Sequence, residues 1–355
     1  MAKTFGNKPD NESLSLMNIP FLPYYACVLL AILPANAAQK TDHKTWTDPE
    51  SALREDPDFA TQGEYRGAEP GTAMGAQVVA LGSGRFDVYI LDGGQPGEGW
   101  EPGKSRTLLK GGRKSEFVEF ADDSGKITAT FADALLSVTT ADGAKHKLAR
   151  IERHSPTLGT KPPDGAVVLF DGSSADNWEN GKMENGYLLA TGCSSKRHFS
   201  DYRLHGEFRT PYKPTASGQQ RGNSGIYFNG RWETQILDSF GRNGNDNECG
   251  GIYSISKPRI NMCLPPLAWQ TYDVEFTAAK FNASGKREAW PRITVRLNGV
   301  TVHENVELAK DFTTSAPISK PLDGAEGPIF LQDHGNPVVF RNIWIVPGQL
   351  GVSRP

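Results

Sequence analysis

The chain has few cysteines, little net charge of either sign and no hydrophobic run long enough to span a membrane. Its four cysteines include no C-x-x-C pair, which argues against a zinc site built on thiolates. The formal net charge of −3 provides no basic field for a polyanion, so nucleic acid is not an expected partner. Helical periodicity is also scarce, and the alternating segments that remain predict an all-β protein.

The N-terminus is typical of an export signal. Two lysines precede an apolar run, Phe21 to Leu33, which is too short for a membrane span and is followed by Ala35 and Ala37 in an A-x-A pattern. We therefore predict a signal peptide over residues 1–37 and an exported protein, periplasmic or extracellular, with no membrane span after signal removal. A short membrane anchor is the alternative interpretation.

Removal of this signal would leave Cys193, Cys249 and Cys263. An odd number of cysteines forbids a complete disulfide framework, although an oxidising compartment permits one bridge. We favour Cys249 and Cys263 as that pair, because both lie in one Gly- and Pro-rich region.

Turn residues divide the chain into regions. One helix is predicted at Pro49 to Asp56, with Asp48 as its N-cap. The remaining alternation predicts a small antiparallel β-domain, as a meander or open barrel, followed by a jelly-roll β-sandwich. The predicted regions are an N-terminal extension at 38–58, the small β-domain at 59–154, a Pro- and Gly-rich linker at 155–165, the sandwich at 166–347 and a tail at 348–355.

The segment NSGIYFNGRWETQILDSFG, residues 223–241, places polar side chains in an otherwise apolar strand. Because alternate residues of a strand face the same side, Glu233 and Gln235 share one face, opposite Trp232. Asp238 would join that face only if a β-bulge intervenes. Burying unpaired charge costs several kcal/mol, so these groups should either line a wet cleft or pair tightly.

A second polar segment, GPIFLQDHGNPVVFRNIWIVP, lies near the C-terminus. Gln332 and His334 share a parity there, and Arg341 interrupts the apolar residues that follow. A lone histidine is often structural, but its position between Asp333 and Gly335 favours the edge of a cleft.

Taken in order, seven segments resemble the 3-keto-disaccharide hydrolase family, a set of concanavalin A-like lectin/glucanase sandwiches. They are VVLFDGSSADNW, SDYRLHGEFRT, NSGIYFNGRWETQILD, GGIYSISKP, LAWQTYDVEF, VRLNGVTV and GPIFLQDHGNPVVFRNI, and they span Val167 to Val346. The preceding β-region resembles, more loosely, a segment found before this domain in some members, especially from planctomycete-like bacteria. After LAW the family usually has Asn, whereas this chain has Gln270, so a different substrate fit is expected.

The resemblance implies cleavage of glycosides already oxidised at C3 of the sugar. A ketone acidifies the hydrogen on the neighbouring carbon, so a base can remove the C2 proton and the C1 substituent can leave by elimination before water adds back. The implied partner is therefore an oxidised (3-keto) glycoside or oligosaccharide. Such a reaction needs a base near C2 and an electrophile for the enolate oxygen.

The implied site uses both polar segments. His334 is our expected proton-transfer residue, and Glu233 is either a competing base or, with Asp238, a ligand of one divalent cation (Ca, Mg or Mn). The residues expected to orient the sugar are Asn223, Gln235, Tyr253, Gln332 and Arg341, with Tyr227 or Trp269 as a stacking face. For these two aromatics, packing in the core is the competing interpretation.

The alternative is a non-catalytic, lectin-like carbohydrate-binding module, because a sandwich fold does not by itself imply an enzymatic activity. A binder has little use for a clustered Glu, Asp and His. This cluster favours the enzyme.

Overall fold

Strands form nearly all of the regular structure. The computed structural model describes residues 43–67 and 73–348, and it confirms the predicted all-β fold class with its β-sandwich. The predicted signal peptide lies outside the described residues, as does the tail beyond Gly348. None of the helices in the described ranges is long and apolar enough to cross a membrane.

Two short helices precede the strands, α1 at Pro49–Glu55 and α2 at Pro57–Thr61. The predicted cap is confirmed, because a carboxylate oxygen of Asp48 accepts a hydrogen bond from the Ser51 amide at 2.8 Å. The first helix ends before Pro57, which cannot continue the hydrogen-bonding ladder and instead begins α2.

The N-terminal strands build an eight-stranded closed barrel. The strands of this half are β1 (Gly63–Gly67), β2 (Met74–Gly82), β3 (Arg85–Asp92), β4 (Gln95–Pro96), β5 (Gly99–Trp100), β6 (Arg106–Lys114), β7 (Phe117–Ala121), β8 (Thr128–Ala132), β9 (Leu135–Thr139) and β10 (Lys145–Ile151). Strand β1 pairs with both β2 and β10, which closes the circle β1-β10-β9-β8-β7-β6-β3-β2. The prediction was a meander or an open barrel, whereas the structure has a closed barrel. A closed barrel leaves no unpaired sheet edge.

The C-terminal strands build two facing sheets. They are β11 (Val167–Phe170), β12 (Trp178–Glu179), β13 (Met183–Glu184), β14 (Tyr187–Leu189), β15 (Cys193–Ser195), β16 (Tyr202–Arg209), β17 (Ser224–Phe228), β18 (Trp232–Ile236), β19 (Gln270–Thr277), β20 (Lys280–Phe281), β21 (Arg287–Ala289), β22 (Arg292–Leu297), β23 (Val300–Glu307), β24 (Phe330–Leu331) and β25 (Val339–Pro347). The larger sheet runs β13-β14-β25-β16-β19-β22-β23 with β11 beside β25, and the smaller runs β12-β15-β24-β17-β18.

Apolar side chains from both sheets form the main core. Phe208 and Tyr272 of the larger sheet belong to one buried cluster with Phe228 and Trp232 of the smaller sheet. Strand alternation therefore turns the intervening residues of β17 and β18 away from this core. That outer face of the smaller sheet carries the polar residues singled out above.

The connection between barrel and sandwich crosses the outer face of the larger sheet. The Ser155 hydroxyl lies 2.6 Å from the Thr271 hydroxyl, and the Thr157 hydroxyl donates to Asp273 at 2.6 Å. The Gly159 amide donates to a Glu207 carboxylate oxygen at 2.6 Å. These bonds hold the segment against the sheet.

Cys193, Cys249 and Cys263, the cysteines of the described ranges, are buried and free. The favoured pair lies close together, because each thiol influences the pKa of the other. The structure thus places the two thiols as neighbours without a bridge.

Candidate active site

A small cavity of about 50 Å³ opens on the outer face of the smaller sheet. Most of the residues predicted from the two polar segments meet there. Its lining consists of Gln219, Asn223, Glu233, Gln235, Tyr253, Thr314, Ser315, Gln332 and His334.

The hairpin of β17 and β18 supplies the floor of this cavity. Asn229 and Gly230 adopt φ values of 50° and 64° in the turn, a left-handed conformation that Asn and Gly tolerate best. The resulting register pairs Tyr227 with Glu233 and Gly225 with Gln235. The predicted sharing of one face by Glu233 and Gln235 is therefore confirmed.

Glu233 is a buried acid with its carboxyl group directed into the cavity. Its side chain needs the space left by Gly225, because a Cβ atom at that position would overlap the carboxyl oxygen Oε1. Burial raises the pKa of Glu233 to about 8, although the hydrogen bond with Tyr227 acts in the opposite direction. The group therefore holds its proton at neutral pH.

The contacts of Tyr227 agree with a protonated Glu233. The Tyr227 hydroxyl lies 2.8 Å from Glu233 Oε2 and 2.8 Å from the Thr314 carbonyl oxygen. One hydroxyl has a single proton to donate, so while Tyr227 donates to Thr314 its contact with Glu233 is a hydrogen bond only if Glu233 is protonated and donates. Ionised Glu233 would instead accept the Tyr227 proton, and this is why the hydrogen bond lowers the pKa of Glu233. Gln332 Nε2 donates to the same hydroxyl at 3.0 Å.

Three amide side chains around Glu233 are oriented by their own donors. Asn223 Nδ2 donates to Gln219 Oε1 at 2.9 Å, and Gln235 Nε2 donates to the same oxygen at 3.0 Å. Gln332 Nε2 is held by Tyr227. The three amide oxygens take no part in these bonds.

Four buried oxygen atoms of this cavity have no hydrogen-bond partner within the described part of the chain. They are Asn223 Oδ1, Glu233 Oε1, Gln235 Oε1 and Gln332 Oε1. Buried polar atoms are nearly always paired, and each unpaired one costs about 1–3 kcal/mol. A ligand that presents several hydroxyl donors would satisfy them.

The rim of the cavity is more exposed than its floor. His334 projects from the turn that follows β24, with its side chain exposed to solvent, and Tyr253 is half-buried across the opening. The Tyr253 amide donates to the Glu233 carbonyl oxygen at 3.1 Å, which fixes that loop to β18. His334 and Tyr253 are thus placed to contact a ligand that occupies the cavity.

Asp238 does not line this cavity, which corrects its prediction as a catalytic residue. The strand ends at Ile236 and no bulge returns Asp238 to the face of Glu233. Its buried carboxylate instead accepts a hydrogen bond from Arg221 Nε at 2.7 Å. Asp238 is therefore half of a buried ion pair.

Arg341 and Trp269 also lie elsewhere, on the outer side of the larger sheet. Arg341 Nε donates to Glu207 Oε2 at 2.6 Å, and its guanidinium lies 4.0 Å from the Trp269 ring centre. Burial opposes ionisation of Glu207, but hydrogen bonds from His205 and its other neighbours lower its pKa to about 2. The predicted substrate contacts of Arg341 and Trp269 are therefore wrong for this cavity.

Gln270 is likewise distant from the floor of the cavity. Its Oε1 accepts hydrogen bonds from the Leu264 amide at 2.9 Å and from Asn298 Nδ2 at 3.1 Å. The departure from the family pattern at this position therefore supports a loop and does not change the lining of the cavity.

The predicted cation pair does not fit the structure. Glu233 and Asp238 line different cavities, and Asp238 is neutralised by Arg221. Among the described residues, no group of three or more His, Cys, Asp or Glu side chains could hold a metal ion. Hard cations prefer several carboxylate oxygens, whereas this floor offers one protonated acid and three neutral amides.

Sequence reasoning missed two residues that shape the site. Gly225 makes room for the Glu233 carboxyl group, and Gln219 aligns two of the amides. Gly225 is a glycine inside a strand, and such a glycine often marks a position where another group approaches the backbone closely. Gln219 gave no comparable signal, because it lies in a short 3₁₀ turn, Gly218–Gln220.

A model of the 3-keto-alpha-glucoside-1,2-lyase-like domain matches residues 165–346, slightly more than half of the chain. This chain belongs to that family. The lyase-like domain covers all of the strands from β11 to β25 except the last residue of β25, whereas the barrel precedes it. The resemblance seen in the sequence is thereby confirmed.

Two solved structures from Parabacteroides distasonis are similar to this member of the lyase-like family. One protein, proposed to be a glycosyl hydrolase, is 32% identical over 53% of this chain and 86% of its own, with a TM-score of 0.48. Another, also proposed to be a glycosyl hydrolase, is 15% identical over 56% of this chain and 100% of its own, with a TM-score of 0.39. No curated protein matches the chain.

Proposed function

We propose that the protein is a carbohydrate-active enzyme that cleaves glycosides carrying a ketone at C3 of the sugar. The observation that carries this proposal is a set of four unpartnered oxygen atoms, one belonging to a buried acid and three to the amides around it. A sugar ring supplies hydroxyl donors for such acceptors, and membership of the 3-keto-alpha-glucoside-1,2-lyase-like family supports the position of the ketone. Export of the protein, to the periplasm or the exterior, remains part of the proposal.

Glu233 is the base in this proposal. A carboxylate whose conjugate acid has a pKa of about 8 accepts a proton more readily than an ordinary one. Ionised Glu233 removes the C2 proton, the electrons of that C–H bond form the C1=C2 double bond, and the bond from C1 to the aglycone oxygen breaks. Water then adds across the double bond to give the free 3-keto sugar.

His334 protonates the departing oxygen in this scheme. It stands at the exposed rim of the cavity, whereas Glu233 is buried at its floor, so the two groups can reach different parts of one substrate. Tyr253 and Thr314 at the same opening have hydroxyl groups that can donate to the enolate oxygen. This assignment gives the two proton transfers to separate groups.

The raised pKa favours an enzyme over a lectin-like binding module. A binder gains nothing from a buried acid that must be desolvated, whereas a base titrating near working pH is what proton abstraction requires. Binding without turnover would be the outcome for the lectin-like alternative.

Incubation of the purified protein in D₂O with a 3-keto-disaccharide is expected to release the aglycone and to leave deuterium at C2 of the product. The reason is that the C2 proton is lost to a base and replaced from solvent. Mass spectrometry and NMR of the product check this, and kcat/KM should rise with pH through about 8 as Glu233 ionises. The unoxidised disaccharide is the control. Its cleavage at a similar rate without deuterium incorporation, or no cleavage of either sugar, would contradict the proposal.

His334→Ala should affect substrates according to their leaving groups. A sugar aglycone needs a proton to depart, so its turnover is expected to fall by about 10²-fold or more, whereas a nitrophenyl aglycone should lose much less. Steady-state rates with both substrates make the comparison, with the exposed His198→Ala as a matched control. Equal losses on the two substrates would assign His334 to the C2 proton instead.

A further inference from the structure

A second, larger cavity of about 260 Å³ lies between the barrel and the sandwich. The outward residues of β2 and β3 form its barrel wall, including Val79, Asp87 and Tyr89. Two sandwich segments, 216–221 and 237–248, supply the opposite wall. We call this space the interdomain groove.

Gln219 belongs to both cavities. It lines the interdomain groove and also the small cavity above Glu233. Its Oε1 accepts hydrogen bonds from Asn223 and Gln235, while its Nε2 donates to the Asn247 carbonyl oxygen at 2.9 Å in the groove wall. One side chain thus lies where the two cavities adjoin.

The charges of the groove largely cancel. Arg221 pairs with Asp238 at 2.7 Å, and Arg242 pairs with Glu248 at 3.2 Å. The carboxyl group of Asp87, by contrast, has no hydrogen-bond or ion-pair partner among the described residues, and this residue is half-buried on β3. A strongly charged ligand such as a phosphate therefore finds no free cationic cluster here.

Flat aromatic ligands also find little to stack on. The Tyr89 ring is covered by the Arg106 guanidinium, whose carbon lies 3.7 Å from the ring centre, and Phe240 is 2% exposed. The accessible polar groups instead include the Asp87 carboxyl, the Ser217 hydroxyl, the Arg242 guanidinium and the Asn245 and Asn247 amides. Such a mixture suits neutral, hydroxyl-rich ligands.

From this arrangement we infer that the interdomain groove binds the leaving group of the substrate, as a sugar unit attached to C1, and that the barrel thereby contributes to specificity. The inference rests on the proposed function, since it places the oxidised ring above Glu233 and the glycosidic bond beside Gln219. The barrel lies outside the matched family domain, so this wall of the groove is not part of that domain.

Ser217→Trp tests the inference, because Ser217 is exposed, lines the groove and makes no side-chain capping bond. The ratio of kcat/KM for a 3-keto-disaccharide to that for a methyl 3-keto-glucoside is expected to fall at least roughly tenfold when the indole fills the groove. Gln220→Trp is the matched control, since it places the same bulk in the same turn outside both cavities. That control should preserve the ratio.

Arg242→Ala provides a second test that adds no bulk. Its side chain is 60% exposed, and the buried Glu248 carboxylate keeps its hydrogen bonds from the Gly244 and Asn245 amides, so the change should leave the fold intact and lower the same ratio several-fold. An unaltered ratio in both groove variants would overturn the inference, even if both substrates were cleaved more slowly by the same factor. Failure of the wild type to cleave either 3-keto substrate would instead identify failure of the proposed function, and the inference would fall with it.

Discussion

Glu233→Gln is expected to lose about 10²- to 10⁴-fold in turnover of a 3-keto-glycoside, because the amide cannot accept the C2 proton. The same variant should be more stable than the wild type at pH 9. Ionised Glu233 is buried without a cationic partner among the described residues, whereas glutamine has nearly the same shape and no charge to desolvate. Loss of function and gain of stability should therefore appear together.

The sign of the pH dependence follows from the pKa. The folded protein holds the Glu233 proton up to about pH 8, while the unfolded chain releases it near 4.5. Wild-type stability should therefore fall as pH rises between these values, by on the order of a few kcal/mol, since tenfold in proton affinity is worth about 1.36 kcal/mol. Urea unfolding at pH 5 and pH 9 measures this, and the difference between the two proteins should be greater at pH 9.

Gly225→Ala is the control for Glu233→Gln, because it disturbs the position of the Glu233 carboxyl group but keeps its charge. Its new methyl group would displace the carboxyl without removing it, so turnover should fall while the stability still depends on pH in this range. Parallel pH–stability curves for the wild type and Glu233→Gln would show that folding does not raise the pKa of Glu233. Turnover by Glu233→Gln within a few-fold of the wild type would remove Glu233 from the mechanism.

Arg221→Met should destabilise the protein by about 3–5 kcal/mol, because it leaves the Asp238 carboxylate buried without its partner. Arg221 also donates to the Ala80 carbonyl oxygen of β2 and to that of Pro214, so the change loosens the contact between barrel and sandwich. Chemical denaturation measures the loss. A cost below about 1 kcal/mol would be typical of an exposed pair and would contradict the structural role.

Asp238→Asn separates this structural role from catalysis. The amide still offers an oxygen to Arg221, and the mechanism does not use Asp238, so turnover of a methyl 3-keto-glucoside should fall less than roughly tenfold. A loss as large as that of Glu233→Gln would restore the original prediction that Asp238 acts in catalysis. The double variant Arg221→Met/Asp238→Leu should recover part of the lost stability, since no charge then remains unpaired.

Local alternation predicted the parts of the site that depend on one hairpin. The period of two places Glu233 and Gln235 opposite Trp232, and the structure confirms this. Parity states which side of a strand a residue faces but not which sheet the strand joins. Arg341 was therefore assigned to the cavity although β25 belongs to the larger sheet.

Closure of the barrel was harder to predict for a different reason. Strands β6 and β10 carry several lysines and arginines on the solvent side, and few of their residues are apolar. Hydrophobic patterning gives weak signals for such strands. When these strands are missed, the remaining ones cannot be paired into a closed barrel. The interdomain groove was equally invisible, because it depends on how distant segments pack.

The segment 155–160 has a practical consequence for anyone shortening this protein. The family match begins at residue 165, yet the Gly159 amide donates to Glu207, whose side chain is only 1% exposed, and the Thr160 carbonyl oxygen accepts from Asn342. A truncation at the family boundary would remove the Gly159 bond from that buried carboxylate and strip Asp273 of its Thr157 bond. An expression boundary for the sandwich alone therefore belongs before Ser155.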